Sequence, residues 1–258
     1  MSKIPLSVAV ITMNEAENIS GCLGSVSFAG QIVVVDSGST DDTVRIATAY
    51  GGEVFTETWK GFGPQKQSAV DKCVHPWVLI LDADEKLSRE AVEEIRRIVS
   101  SPGNGVAGYS FPRKNFFQGR WIRHMGWWPD RVVRLFRKDL GRISQAMVHE
   151  AVVVEGPISA LNGPIEHFTE SRLSRVLMKI DRYSTLGAQK AFDEGKSSGM
   201  LGAVLRAEMT FIQSYFLRLG ILDGRQGLTL SVLDAINKFF KYAKLNELCK
   251  KNRTKTET

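Results

Sequence analysis

The chain has 258 residues, 43% hydrophobic and 24% charged, which is typical of a globular protein with one large core or a core and an appendage. Its net charge is +6, and three dispersed cysteines without a Cys-x-x-Cys pair argue against a structural zinc site and against a disulfide framework. The first predicted strand leaves no room for a signal peptide, and no apolar run reaches the roughly 18 residues of a membrane-spanning helix. We therefore expect a cytoplasmic protein.

The first hundred residues alternate between buried strands and amphipathic helices. Strands are predicted at residues 6–12, 32–36 and 53–55, and helices at residues 15–27 and 44–50. Asn14 is expected to cap the first helix, with Glu17 completing a capping box. This alternation predicts a doubly wound, mostly parallel sheet with right-handed crossovers.

A fourth strand, within residues 77–85, runs straight into an acidic cluster. Five apolar residues lead to Asp82, Asp84 and Glu85, and a continuous apolar run of this length is typical of a strand buried on both faces. Adjacent carboxylates repel one another unless a cation lies between them, so a divalent cation is the expected ligand. The alternative is a solvated turn that caps the next helix.

Polar residues also follow the other predicted strands, at the edge where open α/β sheets bind ligands. Thr12, Asn14 and Glu15 follow the first strand, and Asp36 ends the second. Lys66 is predicted in the first turn of a helix near the same edge, where its charge suits a pyrophosphate. The first turn has no Gly-x-Gly-x-x-Gly and the chain no P-loop, which disfavours a dinucleotide fold and a simple P-loop NTPase.

Three of these segments, residues 8–15, 35–41 and 81–85, together resemble the family-2 inverting glycosyltransferases of the GT-A fold. The resemblance continues through residues 126–130, 134–136, 148–150 and 223–227. With these segments, the chain is similar to the branch of lipopolysaccharide-core β-glucosyltransferases. It implies transfer of a hexose, glucose from UDP-glucose, to a glycolipid or polysaccharide acceptor such as an inner-core heptose. The required cofactor would be Mg²⁺ or Mn²⁺.

The resemblance also implies roles for individual residues. Asp36 would contact the uracil or ribose, Asp82 the ribose or donor sugar, and Asp84 the metal. Ser37 stands where many members of the family have a second Asp. The remaining expected nucleotide-sugar contacts are Thr12, Asn14, Glu15, Lys66 and Ala83.

Residues 101–170 are expected to form the acceptor-binding half. Strands are predicted at residues 108–111 and 132–136, and an aromatic, arginine-rich segment lies between them. Sugars pack their apolar faces on aromatic rings, so Trp121, Trp127 and Trp128 are candidates for acceptor binding, although at least one is expected to belong to the core. Asp130 and Arg134 complete the predicted acceptor set.

An inverting transfer needs one base for the acceptor hydroxyl. Glu150 lies in a predicted strand at residues 146–154, where a buried acid is costly unless it is paired or functional. It is the candidate base, and the resemblance supports it; His149 either orients it or is itself the base. His167 is a candidate metal ligand, although a single histidine is more often structural.

The catalytic domain is expected to end near residue 170, with nucleotide-binding residues 1–100 and acceptor-binding residues 101–170. Residues 171–258 are predicted to be helical and carry aromatic residues beside lysines near residue 240. Such a helix either lies in a membrane interface or packs on the catalytic domain. The basic end suits an anionic surface; a glycolipid acceptor favours a membrane at the cytoplasmic face, and no nucleic-acid partner is expected.

Three other activities remain open from the residues alone. A haloacid-dehalogenase-type phosphatase also uses Asp-x-Asp after apolar residues, but on its first strand. A nucleotidylyltransferase would need a Gly-rich, Arg-containing loop after the first strand. A non-catalytic sugar-nucleotide binding protein would have no use for both Glu150 and the Asp82–Asp84 pair.

Overall fold

The structure, a computed structural model, describes residues 2–101, 105–144, 151–169 and 172–256, with side chains as far as residue 252. The chain forms two compact units. The first comprises Met1–Lys114 and Pro129–Phe168, and the second comprises Asn115–Trp128 and Thr169–Thr258. The longer segment of the second unit begins at Thr169, and the sequence predicted a domain boundary near residue 170. It also includes residues 115–128, which the sequence grouped with the acceptor half.

The first four strands of the sheet run parallel, and the later strands add both antiparallel and parallel pairs. Its strand order is β3-β2-β1-β4-β8-β6-β12-β5; β7 and β11 pair with β6, and β9 and β10 form a separate ribbon. β1 to β4 run parallel, whereas β8 is antiparallel to β4, and β6 is antiparallel to β8. The strands are β1 Ile4–Thr12, β2 Ala29–Asp36, β3 Glu53–Thr56, β4 Trp77–Asp82, β5 Glu85–Leu87, β6 Gly108–Phe117, β7 Arg120–Trp121, β8 Asp130–Arg137, β9 Gly141–Ile143, β10 Val152–Val154, β11 Ile158–Ala160 and β12 Ile165–Phe168.

Two apolar layers cover the faces of this sheet. Along β1, Val8 and Val10 join one core cluster, whereas Ala9 and Ile11 join the other. Successive strand residues point to opposite faces, so an unbroken apolar run is what a strand covered on both sides requires. Together with the helical region that follows, this confirms the expected fold class. The helices of the first unit are α1 Ile19–Ser25, α2 Thr43–Ala49, α3 Phe62–Asp71 and α4 Arg89–Ser100.

The expected start of α1 was wrong. The helix begins at Ile19, with Asn18 at the N-cap position, and Asn14 lies four residues earlier in a left-handed conformation with φ of 57°. Asparagine tolerates that conformation because its short side chain forms local hydrogen bonds. The capping-box pattern was misleading because the polar groups of Asn14 bond to another loop, as described below.

The second unit is helical and has its own apolar cores. Residues Phe117, Ile122 and Met125 pack with residues of α5 and α7, and a second cluster joins the far ends of these two helices. No helix among the described residues is long and apolar enough to cross a membrane. The elements are α5 Leu173–Asp193, α6 Met200–Ile212, a π-helical turn Gln213–Leu217, a 3-10 turn Gly220–Asp223 and α7 Gly224–Thr256.

Candidate active site

The strand ends that the sequence singled out meet at one edge of the sheet. In the register of β1 and β2, Thr12 lies opposite Asp36, and in the register of β1 and β4, Ile11 lies opposite Asp82. The carboxyl ends of parallel strands share an edge, which is where open α/β sheets bind their ligands. The polar groups of three loops are therefore presented to the same space.

Asn14 and Glu15 hold the first two of these loops together. The backbone nitrogen of Asn14 donates to Ser39 Oγ at 2.8 Å, and Asn14 Oδ1 accepts from the nitrogen of Thr40 at 2.8 Å. The backbone nitrogen of Glu15 donates to Thr43 Oγ1 at 2.8 Å. These bonds order the loop after β1 against the loop after β2.

Asp36 folds the loop in which it lies. It is 1% exposed, and its Oδ2 accepts from the backbone nitrogens of Gly38 and Ser39, each at 2.9 Å. Gly38 adopts a φ of 91°, which a side chain at this position would strain. These hydrogen bonds show that the carboxylate of Asp36 stabilises the turn and positions the groups around it.

Two hydroxyls beside Asp36 lack a partner within the described part of the chain. Thr12 Oγ1 and Ser37 Oγ are both buried without a hydrogen bond there, although the nitrogen of Ser37 donates to the carbonyl of Thr12 at 2.9 Å. Buried polar groups are nearly always hydrogen-bonded, and exceptions often mark functional sites. The sequence predicted Thr12 as a nucleotide-sugar contact, whereas Ser37 was noted only because many members of the family have Asp at that position.

Asp82 lies between two cations. Its Oδ1 is 2.7 Å from Lys66 Nζ, and its Oδ2 is 2.7 Å from an Arg134 guanidinium nitrogen. Burial alone would raise the pKa of Asp82, but the charges of Arg134 and Lys66 outweigh it and hold that pKa well below its ordinary value. Asp82 is therefore a fixed negative charge that accepts hydrogen bonds.

Arg134 extends this network inward. The same nitrogen of Arg134 lies 2.7 Å from Glu85 Oε1, and Glu85 is 1% exposed. Arg113 lies 3.4 Å from Glu85 and donates from Nε to Asp130 at 2.9 Å. Asp130 and Arg134, predicted for the acceptor, therefore belong to the same ion network as Asp82. The sequence did not single out Arg113, and β6, which carries it, shows no local signal for this role.

Asp84 and His167 come together although they are 83 positions apart in the chain. The pairing of β5 with β12 places His167 opposite Glu85, and the nitrogen of Phe168 donates to the carbonyl of Asp84 at 2.9 Å. His167 Nε2 is then 3.3 Å from Asp84 Oδ2. Ala83, between the two aspartates, packs its side chain into the core, so only its backbone can face a ligand.

Asp84 and His167 form a pair of potential metal ligands rather than a complete cage. Within the described ranges, no group of three or more His, Cys, Asp or Glu side chains could hold an ion. Mg²⁺ commonly takes only one or two protein ligands, and water and substrate phosphates supply the rest. A carboxylate with an adjacent imidazole fits that arrangement.

A cavity of about 380 Å³ lies beside Asp82 in the first unit. Its lining includes the four cations Lys66, Arg113, Arg131 and Arg134, against the single acid Asp82. The rest of the lining is mainly aliphatic. Glu85 and Asp130, which are not part of this lining, neutralise part of the charge of Arg113 and Arg134. A cavity of this size lined by several cations suits an anionic ligand such as a diphosphate.

The expected catalytic residues, His149 and Glu150, lie outside the described residues. The described residues on either side of this segment, Ser144 and Ala151, bond to each other: the nitrogen of Ser144 donates to the carbonyl of Ala151 at 2.9 Å. Ile143, Ala151 and Val152 line the cavity.

The tryptophans expected to bind the acceptor belong to the second unit. Trp127 packs against the apolar cluster around Ile122 and Met125. Trp128 contacts Trp121 edge to face, with ring centroids 5.2 Å apart. Trp127 is thus partly a core residue, in agreement with the expectation that at least one of the three has a structural role.

The comparison with known families identifies the chain. Residues 7–153 match the model of Glycosyl transferase family 2. The chain belongs to this family. A relative with 30% identity is the lipopolysaccharide core biosynthesis glycosyltransferase LpsC of Rhizobium meliloti (strain 1021), covering 94% of this chain and 92% of LpsC. The uncharacterized glycosyltransferase RT0209 of Rickettsia typhi is also 30% identical, over 96% of this chain and 89% of its own.

The protein is accordingly a glycosyltransferase, and the phosphatase alternative no longer applies. Among solved structures, S. aureus TarS 1-349 in complex with UDP-GlcNAc matches 98% of this chain and 92% of that chain, with 14% identity and a TM-score of 0.49. Glucosyl-3-phosphoglycerate synthase of Mycobacterium tuberculosis, solved with Mn²⁺ and UDP, matches 45% of each chain at 23% identity and a TM-score of 0.34.

Proposed function

We propose that this glycosyltransferase moves a hexose, glucose from UDP-glucose, with inversion onto a glycolipid or polysaccharide such as a lipopolysaccharide inner-core heptose. The observation that carries the proposal is the cationic cavity at the edge of the sheet that also carries Asp84 and His167. The lipopolysaccharide core glycosyltransferase LpsC, similar over nearly its whole length, supports the acceptor class.

The nucleoside end of the donor is assigned to the two loops that Asn14 and Asp36 hold in place. The buried hydroxyls of Thr12 and Ser37 are the groups that lack partners there and would bond to the base or ribose. Glu15 and the backbone of Ala83 complete this part of the site.

Lys66 and the arginines of the cavity suit the diphosphate, because they stabilise the negative charge that builds up as UDP departs. Asp82 would then accept hydrogen bonds from the ribose or donor sugar. Asp130 and Arg134, on the first unit, are proposed to contribute to binding the acceptor; for Trp127 and Trp128, on the second unit, acceptor contact stays a prediction from the sequence.

The reaction is an in-line displacement at the anomeric carbon. Glu150 removes the proton from the acceptor hydroxyl as that oxygen attacks, and His149 orients Glu150. Asp84 and His167 would hold a divalent cation, Mg²⁺ or Mn²⁺, which when bound acts as a Lewis acid on the diphosphate. Since the nucleophile enters opposite the departing UDP, the anomeric configuration inverts.

Binding of UDP tests the donor site without any need for the acceptor. A ligand present at 100 times its dissociation constant adds about 2.7 kcal/mol of stability, or about 5–10 °C in Tm for a chain of this size. We expect UDP with Mn²⁺ to produce such a shift in the wild type, and Asp84→Ala to abolish its metal-dependent part. Asp139→Ala, which removes an exposed carboxylate on the same unit, should respond like the wild type. Absence of any UDP effect in the wild type would refute the donor assignment.

We also infer a peripheral position on the cytoplasmic face of the inner membrane, from charge and apolar exposure in the second unit. This unit holds 18 Lys and Arg against nine Asp and Glu, a net charge of +9, whereas the first unit carries −3. In α7, Leu245 is fully buried and Lys244 Nζ lies 2.7 Å from Asp181 of α5, so this part of the helix packs within the unit, whereas Phe240 is 44% exposed.

The exposed apolar residues concentrate on α6 and the turns after it. We call them the α6 surface, and they are Leu201, Leu205, Met209, Phe216, Leu217 and Leu222. Leu201 and Leu217 are each 73% exposed. A large exposed apolar area beside an excess of positive charge suits the interface of an anionic bilayer.

Vesicle sedimentation tests the α6 surface. We expect the protein to pellet with phosphatidylglycerol-containing vesicles and less with pure phosphatidylcholine, and Leu205→Ser with Leu217→Ser to weaken binding by about tenfold or more. Val74→Ser is the matched control, because Val74 is 71% exposed but lies on the first unit. Unchanged pelleting of the double variant, or a wild-type dimer that the double substitution dissociates, would contradict the assignment.

A further inference from the structure

The second unit contains its own cleft, of about 690 Å³, formed only by residues of that unit. It is bounded by the segment around β7 on one side and by the start of α7 on the other. The lining residues with polar or aromatic groups that matter here are Arg120, Trp121, Arg123, His124, Asp223 and Gln226. This cleft includes part of the Asp223–Gly227 segment, to which the proposed reaction assigns no role.

Asp223 fixes the shape of the cleft. It is 2% exposed, and its Oδ1 accepts from the backbone nitrogen of Arg123 at 3.2 Å and lies 3.1 Å from His124 Nδ1. Its Oδ2 accepts from the backbone nitrogen of His124 at 3.0 Å. Its negative charge is therefore engaged with N–H groups of the cleft wall.

The glycines around Asp223 allow the close packing that this wall requires. Gly224 adopts a φ of 64°. A Cβ on Gly227 would lie 1.9 Å from the carbonyl oxygen of Gly220, a contact that no side chain can make. The Asp and Gly residues of this segment are therefore spaced as its backbone conformation and close packing require.

Two arginines line the cleft without an acidic partner in the contacts described for them. An Arg120 guanidinium nitrogen donates to the carbonyl of Leu222 at 3.1 Å, and the guanidinium of Arg123 lies 4.2 Å from the centroid of the Trp121 ring. Each contact orients a guanidinium group without neutralising its positive charge. Asp223 is the one acid among the described lining residues, so the cleft has an excess of positive charge.

We propose that this cleft binds an anionic saccharide, through a phosphate or carboxylate group on a sugar ring. Guanidinium groups bind both anions in a bidentate manner, and a planar, oriented arginine is suited to that contact. The volume lies within the usual range for small-ligand sites. The proposal rests on the proposed function in one respect, since it takes the substrate class to be a saccharide.

Calorimetric titration of the full chain, with saturating UDP to occupy the donor site, tests the proposal. The probes are glucose 6-phosphate, glucuronate and neutral glucose, so that phosphate and carboxylate are distinguished. We expect at least one anionic sugar to bind about tenfold or more tightly than glucose. Arg120→Ala with Arg123→Ala should remove that preference, and Arg182→Ala, an exposed arginine on α5, should not.

Arg120→Lys with Arg123→Lys, a variant that keeps the charge, should retain part of the affinity, provided that both double variants melt as cooperatively as the wild type. Equal binding of glucose and both anions, no binding of any probe, or full affinity in the alanine variant would overturn the proposal. UDP stabilisation reports on the first unit separately. If the donor assignment fails, the same titration without UDP still decides whether the cleft binds anions.

Discussion

Arg134→Ala is expected to lower the free energy of unfolding by about 3–5 kcal/mol, the usual cost of removing one partner from a buried ion pair. Arg134 is 7% exposed, and a single guanidinium nitrogen contacts both Asp82 and Glu85 at 2.7 Å. Removing it leaves the buried carboxylate of Glu85 with the longer contact to Arg113 as its remaining ion pair, beside the hydrogen bond that it accepts from the backbone nitrogen of Asp82 at 3.1 Å. It also exposes Glu85 to repulsion from the carboxylate of Asp82. Urea denaturation at neutral pH measures the change.

Arg137→Ala is the control on the same strand. Arg137 pairs with Asp139 at the surface, where the two side chains are 39% and 60% exposed, so its removal should cost about 0–1 kcal/mol. Equal losses for the two variants would mean that the network around Arg134 does not hold this edge of the sheet together. A donor site that still binds UDP in Arg134→Ala would show that Arg134 is not required for binding the donor.

Glu150→Gln is expected to reduce turnover by about 10²–10⁴-fold, which is the usual contribution of a general base. The substitution keeps the size of the side chain and removes its ability to accept a proton. Stabilisation by UDP should stay at the wild-type level, because the base acts on the acceptor. The measurements are the initial rate of UDP release in the presence of acceptor and the UDP-induced shift in Tm.

Glu155→Gln supplies a matched control from the described residues beyond β10, where Glu155 forms an exposed ion pair with Arg142. It should leave both measurements unchanged. Wild-type turnover in Glu150→Gln would eliminate Glu150 as the base. If Glu150→Gln is fully active and His149→Ala loses turnover, His149 would be identified as the base.

The sequence predicted the parallel half of the fold well for a physical reason. Strands covered on both faces need unbroken apolar runs, and residues 8–11, 32–35 and 77–81 are such runs. The polar residues that end them had to share an edge. By contrast, β5 and the π-helical turn Gln213–Leu217 depend on pairing and packing partners distant in the chain, and no local pattern indicated them.

One local sequence pattern, the capping box at the start of α1, was misinterpreted. Asn14 followed by Glu17 matches a capping box, yet Asn14 bonds to Ser39 and Thr40, 25 and 26 residues further along. An asparagine side chain can cap a helix or form hydrogen bonds to a neighbouring loop, and the sequence pattern is the same in both cases. The choice depends on which loop packs against it.

The sequence by itself determined the family, the doubly wound half of the sheet and the edge at which Thr12, Asp36 and Asp82 lie, because strand periodicity and parallel topology suffice to bring those residues together. Only the tertiary structure decided which charges neutralise one another. Lys66 and Arg134 reach Asp82 from separate elements, and antiparallel pairing of β5 with β12 delivers His167 to Asp84. Contacts between residues so far apart depend on strand register and burial, which neither composition nor local spacing records.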